Sequence, residues 1–161
     1  MNKSENRTNS QKDFYFSWKD DAPDYVAYTV GVWESGPNKI GGAAYMLVSG
    51  EKIVREAAKS CIGTTVNRMA LLAIISALNN TPKRKNVRVY TNSEYCILVA
   101  GKKKVQKNLD LVRMMQRLIK ERNVHITYTD SHSLPCQRQC VRAATDARRR
   151  TEYQYNIANI E

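Results

Sequence analysis

Between Tyr25 and Ser60 apolar and polar positions alternate in three runs, 25–33, 41–49 and 52–60, broken at Gly36-Pro37-Asn38 and at Ser49-Gly50-Glu51. Period-two alternation sends successive side chains to opposite faces, and both breaks carry turn chemistry, so the pattern predicts a meander of three antiparallel strands. At Asn67 the period changes. NRMALLAIISALNN is a run of good helix formers, apolar on nearly every side, and predicts a buried helix that Thr81-Pro82 ends. VRVYT (87–91) reads as a fourth strand, SEYCILVAG (93–101) as a helix stopping at Gly101, and NLDLVRMMQRLIKE (108–121) as an amphipathic helix with Leu111, Met115 and Leu118 on one face. VHITYT (124–129) is a fifth strand, and QRQCVRAATDARRR (137–150) puts Cys140, Ala143, Ala144 and Ala147 on one face of a last helix and arginines on the other. The pattern predicts an α/β domain with a five-stranded mixed sheet, three antiparallel strands then two parallel ones, flanked by helices.

This domain runs from 25 to 150. Residues 1–24 form an N-terminal extension, polar at first and then aromatic (DFYFSW, 13–18), which suits a partly disordered segment or an added edge strand; 151–161 form a C-terminal tail. A length of 161 residues with 42% hydrophobic residues supports one core without metal or disulfide staples. Four cysteines (Cys61, Cys96, Cys136, Cys140) lie in apolar stretches without zinc-ribbon spacing, which fits reduced thiols in an intracellular, cytoplasmic protein. No apolar run reaches the roughly 18 residues of a membrane span, and residues 1–13 hold no apolar export signal.

Charge narrows the partners. The 26 Lys and Arg outnumber the 15 Asp and Glu by +11, and residues 101–150 alone hold 13 basic and 4 acidic side chains. A field so placed attracts polyanions, nucleic acid above all.

Three stretches then resemble the ribonuclease H family. YTVGVWESGPNKIGGAAYML is similar to the family's Y/F-T-D-G-S strand and glycine-rich hairpin; TTVNRMALLAIISAL resembles T-T-N-N-R-M-E-L-x-A-x-x-x-A-L; VRVYTNSEYCI resembles V-x-I-x-T-D-S-Q-Y-V. HITYTDSHSLPCQRQCVRAATDA is similar to the last strand, the His-bearing loop and the final helix. The resemblance covers about residues 25–150 and implies a ribonuclease H-like fold. The family's enzymes cut the RNA strand of an RNA–DNA hybrid with two Mg²⁺ ions held by four carboxylates. On the matching positions stand Val30, Ala70, Asn92 and Val141, none of them a carboxylate. Mg²⁺ is a hard cation held by anionic oxygens, so Mg²⁺ binding is expected to be lost, with no cofactor and no catalytic residues. Asp130, Glu94 and Glu34 are the carboxylates from which a relocated site would be built, and Asp130 and His132 the catalytic remnants. His132, Cys136 and Cys140 recur every four residues, a zinc-like spacing that Pro135 interrupts.

Binding can outlive cleavage because it uses other residues. The resemblance places Asn38, Thr64, Thr65 and Asn67 against the nucleic-acid backbone, although Thr64 or Thr65 equally suits a helix cap. Lys102, Lys103, Lys104 and Lys107 stand where some family members carry a longer basic protrusion, and Arg113, Arg117, Lys120 and Arg122 continue the charge. The leading expectation is a catalytically inactive ribonuclease H-like protein that binds duplex nucleic acid through its basic face. The alternatives are a protein-interaction or assembly module, with DFYFSW and YQYNIANIE as surfaces for a protein partner or homodimer, and an active enzyme with a relocated metal site.

Overall fold

The computed structural model describes residues 7–9, 12–19 and 21–158, so the expectation of disorder in the extension falls partly on residues outside that set. Strands β1 (Arg7–Asn9) and β2 (Asp13–Phe16) precede the meander of β3 (Tyr25–Trp33), β4 (Gly41–Ser49) and β5 (Lys52–Cys61). Helix α1 (Val66–Asn79) leads to β6 (Asn86–Thr91), α2 (Glu94–Val99) and α3 (Leu109–Lys120) lead to β7 (Asn123–Tyr128), and α4 (Pro135–Ala158) closes the chain. The sheet order is β1-β2-β7-β6-β3-β4-β5, with β6 parallel to both β3 and β7 and the other pairings antiparallel. The α/β class and mixed sheet are as the pattern predicts, but the strands number seven rather than five.

The two extra strands come from the extension. Tyr15 pairs with His125 of β7, Phe14 is 1% exposed in the main core, and Trp18 is 6% exposed. Phe14 and Trp18 are therefore buried while Tyr15 and Phe16 are half-buried, so DFYFSW, expected as a surface for a partner, is largely taken up by the sheet. Alternation within a four-residue strand, with Phe14 turned to the core, is enough to add it to the sheet. The expected tail from 151 is corrected too: α4 runs on to Ala158 because no Gly or Pro interrupts it and because Arg148 pairs with Glu152 and the Thr151 hydroxyl meets that of Ser60.

Two layers of helix sandwich the sheet. α1 and α3 cover the face carrying Ala27, Val87, Val89, Val124 and Ile126, and α4 covers β3 to β5 on the other, against Val30, Ala44 and Met46. Glycines set both distances. A Cβ on Gly31 would stand 2.5 Å from the backbone nitrogen of Ala70, and one on Gly42 would stand 2.2 Å from the Ala144 carbonyl oxygen, so each helix packs backbone against strand.

A histidine adds to what fastens the extension. His125 Nε2 lies 2.8 Å from Asp13 Oδ1, and its ring stacks on Tyr15 at 4.3 Å and tilts against Trp18. Burial lowers the His125 pKa from 6.5, with Asp13 opposing and Arg88 reinforcing the shift. A folded-state pKa below the unfolded one means that the unfolded chain binds the proton more readily, so this stability is complete above about pH 6.5 and is lost as pH falls from there through the lowered folded-state value. Thermal unfolding followed between pH 7.5 and 5.5 should show this loss, and His125→Gln should flatten it.

Candidate functional site

The parallel strands β3, β6 and β7 end side by side, and the crevice beyond the carboxyl ends of such strands is where open α/β sheets bind ligands. All four positions that the resemblance equates with metal ligands come to this end. Val30, 1% exposed, packs with Ala44, Met46, Cys140 and Ala144, and Val141 lies against the same apolar cluster. Ala70, also 1% exposed, presses its backbone on Gly31. Asn92 follows β6, and its amide is fully occupied: Oδ1 accepts from the Gly31 N–H at 3.1 Å, and Nδ2 donates to the Gly31 carbonyl at 3.0 Å and to Ser131 Oγ at 3.0 Å. Gln137, 0% exposed, sews the same end together, donating to the Thr29 carbonyl at 3.3 Å and accepting from Thr129 Oγ1.

This donor set does not fit Mg²⁺. Three of the four side chains carry no oxygen, and the one amide oxygen already accepts a backbone N–H. The three carboxylates from which a relocated site would be built are engaged elsewhere. Asp130 closes its own loop, accepting from the His132 N–H at 2.8 Å and the Ser133 hydroxyl at 2.9 Å, and these bonds lower its pKa. Glu94 pairs with Lys12 at 3.2 Å and Glu34 with Arg148 at 3.6 Å. Among the described residues no three of His, Cys, Asp and Glu gather where they could share a metal ion. His132 is exposed in the loop before α4, off the helix that carries Cys136 and Cys140, and burial pushes the Cys140 thiol up to about 12.

The expected nucleic-acid residues divide. Thr65 caps α1, its hydroxyl accepting from the Arg68 N–H at 3.2 Å, and Thr64 is 5% exposed with its backbone bonded to the Lys39 carbonyl at 2.9 Å. Asn38 and Asn67 are half-buried, with the Asn38 carbonyl accepting from Gly63 at 3.1 Å. Thr64 and Thr65 thus shape the hairpin-to-helix junction, and the hydroxyl expected to face phosphate caps a helix.

The lysine loop is different. Lys102, Lys103, Lys104 and Lys107 are all exposed on one connection between α2 and α3. Gln116, 8% exposed, donates to the carbonyls of Val99 at 2.9 Å and Lys102 at 2.8 Å. Arg113 donates to the Lys102 carbonyl at 3.2 Å, to that of Lys103, and to Gln116 Oε1 at 2.7 Å. At the far end Tyr95 donates to the Lys107 carbonyl at 3.3 Å, and Arg68 grips Asp110 at 2.9 Å, holding that carboxyl down to about 2. Arg113 therefore braces the loop, and the lysines point outward from a fixed frame. Arg122 departs from the expected basic face. It is 5% exposed and ties α3 to the end of α1 through the Thr81 hydroxyl and carbonyl, both at 2.7 Å. Gln116, Gln137 and Arg122 take structural roles that the sequence pattern does not single out. For Gln116 the signal is a polar residue on the apolar side of an amphipathic helix, one position from Met115.

This fold, an antiparallel meander feeding parallel strands with helices on both faces, defines an α/β ribonuclease H-like domain. A family model described as RNase H matches residues 23–148. The chain is 32% identical over 124 residues to a ribonuclease H of Prosthecochloris aestuarii, a match covering 67% of this chain and 83% of that protein. It is 30% identical over 121 residues to that of Chlorobium phaeobacteroides (66% and 82% covered) and 28% identical over 121 residues to that of Desulforamulus reducens (66% and 75% covered). The chain belongs to the ribonuclease H family.

Proposed function

We propose that this protein is a ribonuclease H-family member without metal-dependent cleavage, which binds duplex nucleic acid, RNA–DNA hybrid foremost, through its basic face. One observation carries the reading. The four positions of the family's metal site are used up in packing, Val30 and Val141 in an apolar cluster, Ala70 against Gly31, and Asn92 as a two-way amide clip on the same glycine. Side chains so committed hold the strand ends together in place of metal ions, and the fold keeps its shape with no like charges to neutralise. The lysine loop supplies the affinity. Its ammonium groups suit phosphate contacts, which fix position on a duplex without reading sequence, and the hybrid's shape and 2′-hydroxyls supply any preference among duplexes.

The test is binding of labelled hybrid, double-stranded RNA and double-stranded DNA over a salt series with Mg²⁺ or Mn²⁺ present, followed by a check of strand length. Binding that weakens steeply with salt and leaves every strand intact is the expected result. Cut RNA whose cutting Asp130→Asn abolishes would overturn the reading.

A further inference from the structure

Helix α4 lies over β3, β4 and β5, and on that side of the sheet β6 and β7 extend beyond it. Side chains two apart share a face, so Arg88, Tyr90 and Asn92 form one column along β6, running about 13 Å down from the former metal-site position. Across the strands the row through Tyr90 reads Tyr28, Tyr90, Thr127, Asp13 in direct register. All four are half-buried. The Tyr90 ring stacks on Tyr28, with centroids 5.3 Å apart and planes 16° from parallel, so one of its faces is taken, and Thr127 is its neighbour in the row on the other side. Tyr90 and Asp13 stand two strand spacings apart, about 9.6 Å between backbones, with Thr127 the residue between them in the row. A planar ring seated above Thr127 would stack at about 3.5 Å from the Tyr90 ring. Next along the column, Arg88 lies 5.3 Å from the Trp18 ring, and its buried Nε has no hydrogen-bond partner among the described residues.

We propose that this face is a second nucleic-acid site, which takes an unpaired base on Tyr90 above Thr127 with Arg88 beside it to meet a phosphate or carbonyl oxygen. An aromatic plane next to a guanidinium on an open sheet is how single strands are held without sequence preference. The occupant is a single strand rather than a protein segment for two reasons. The chain's +11 charge favours a polyanion, and the column is continuous with Asn92, the position at which the family's duplex site lies. A duplex held by the lysine loop with a single-stranded overhang would engage both sites. The inference goes beyond the proposed duplex binding and can hold without it.

Anisotropy titrations of the full chain with blunt hybrid, the same hybrid carrying a single-stranded overhang, and the single strand alone test it. The overhang is expected to tighten binding about tenfold over blunt hybrid. Tyr90→Ala should remove that gain and leave blunt hybrid unchanged, whereas Tyr90→Phe should keep it. Thr127→Trp, which fills the place of that base without removing a ring, guards against a folding defect in the alanine variant and should also abolish the gain. Equal affinity for blunt and overhang substrates, or a gain that survives both Tyr90→Ala and Thr127→Trp, would overturn the proposal. Single strand bound through Tyr90 with no binding of any duplex would sustain it while removing the proposed duplex function.

Discussion

Val30→Asp is expected to lower the unfolding temperature by roughly 10 °C at neutral pH. Val30 is 1% exposed among Ala44, Met46, Cys140 and Ala144, and none of these can pair with a carboxylate. An uncompensated buried charge costs about 3–5 kcal/mol, and a chain of this length loses about 2–4 °C per kcal/mol. Were a Mg²⁺ ion held at the strand ends, the same substitution would add a ligand and be stabilising in its presence. Thermal unfolding of the wild type, of Val30→Asp and of the fourfold variant Val30→Asp, Ala70→Glu, Asn92→Asp, Val141→Asp, each with and without millimolar Mg²⁺, separates these cases. Wild type and single variant should ignore the metal, and the fourfold variant should be stabilised by it. A saturable Mg²⁺ stabilisation of the wild type would show that the chain still holds a metal, and the proposed loss of cleavage would lose its physical basis.

Converting Lys102, Lys103, Lys104 and Lys107 to alanine together is expected to weaken hybrid binding on the order of a hundredfold at moderate salt, and to reduce the slope of log affinity against log salt by three to four units. Each duplex phosphate contact contributes about 0.9 to that slope, so four lost contacts have a definite signature. The loop's frame survives the substitution, because it is built from carbonyls held by Gln116, Arg113 and Tyr95 rather than from the lysine side chains. An unchanged slope would mean that the lysines are merely solvated and that the protein's basic contact surface lies elsewhere.

The mixed α/β fold was legible in the sequence because it rests on short-range physics. Alternation, turn chemistry and helix periodicity act within a few residues, and they placed the three-strand meander, α1, α3, β6 and β7 close to their observed bounds. The absence of carboxylates at Val30, Ala70, Asn92 and Val141 was equally legible, since ligand chemistry belongs to the side chain itself. What periodicity misses is a strand of four residues. Asp13–Phe16 joins the sheet only because β7 offers an edge and the core receives Phe14.

Side-chain roles among polar residues were decided by tertiary structure alone. Arg113, Arg122 and Arg148 are the same letter on a basic chain, yet Arg113 braces a loop, Arg122 is buried against Thr81, and Arg148 is 3% exposed with its Nε on the Ile40 carbonyl at 2.9 Å. The loop carbonyls, Thr81 and Ile40 that they hold lie between 10 and 108 residues away in sequence. Asn92 and Gly31 are likewise 61 positions apart, and no local pattern announces that one amide will satisfy both backbone groups of that glycine. The sequence by itself determined the elements and the absence of a carboxylate at Val30, Ala70, Asn92 and Val141. The fold decided which charges face solvent and what packs around these four positions, because a buried polar group must find its partner wherever packing brings one within hydrogen-bond reach.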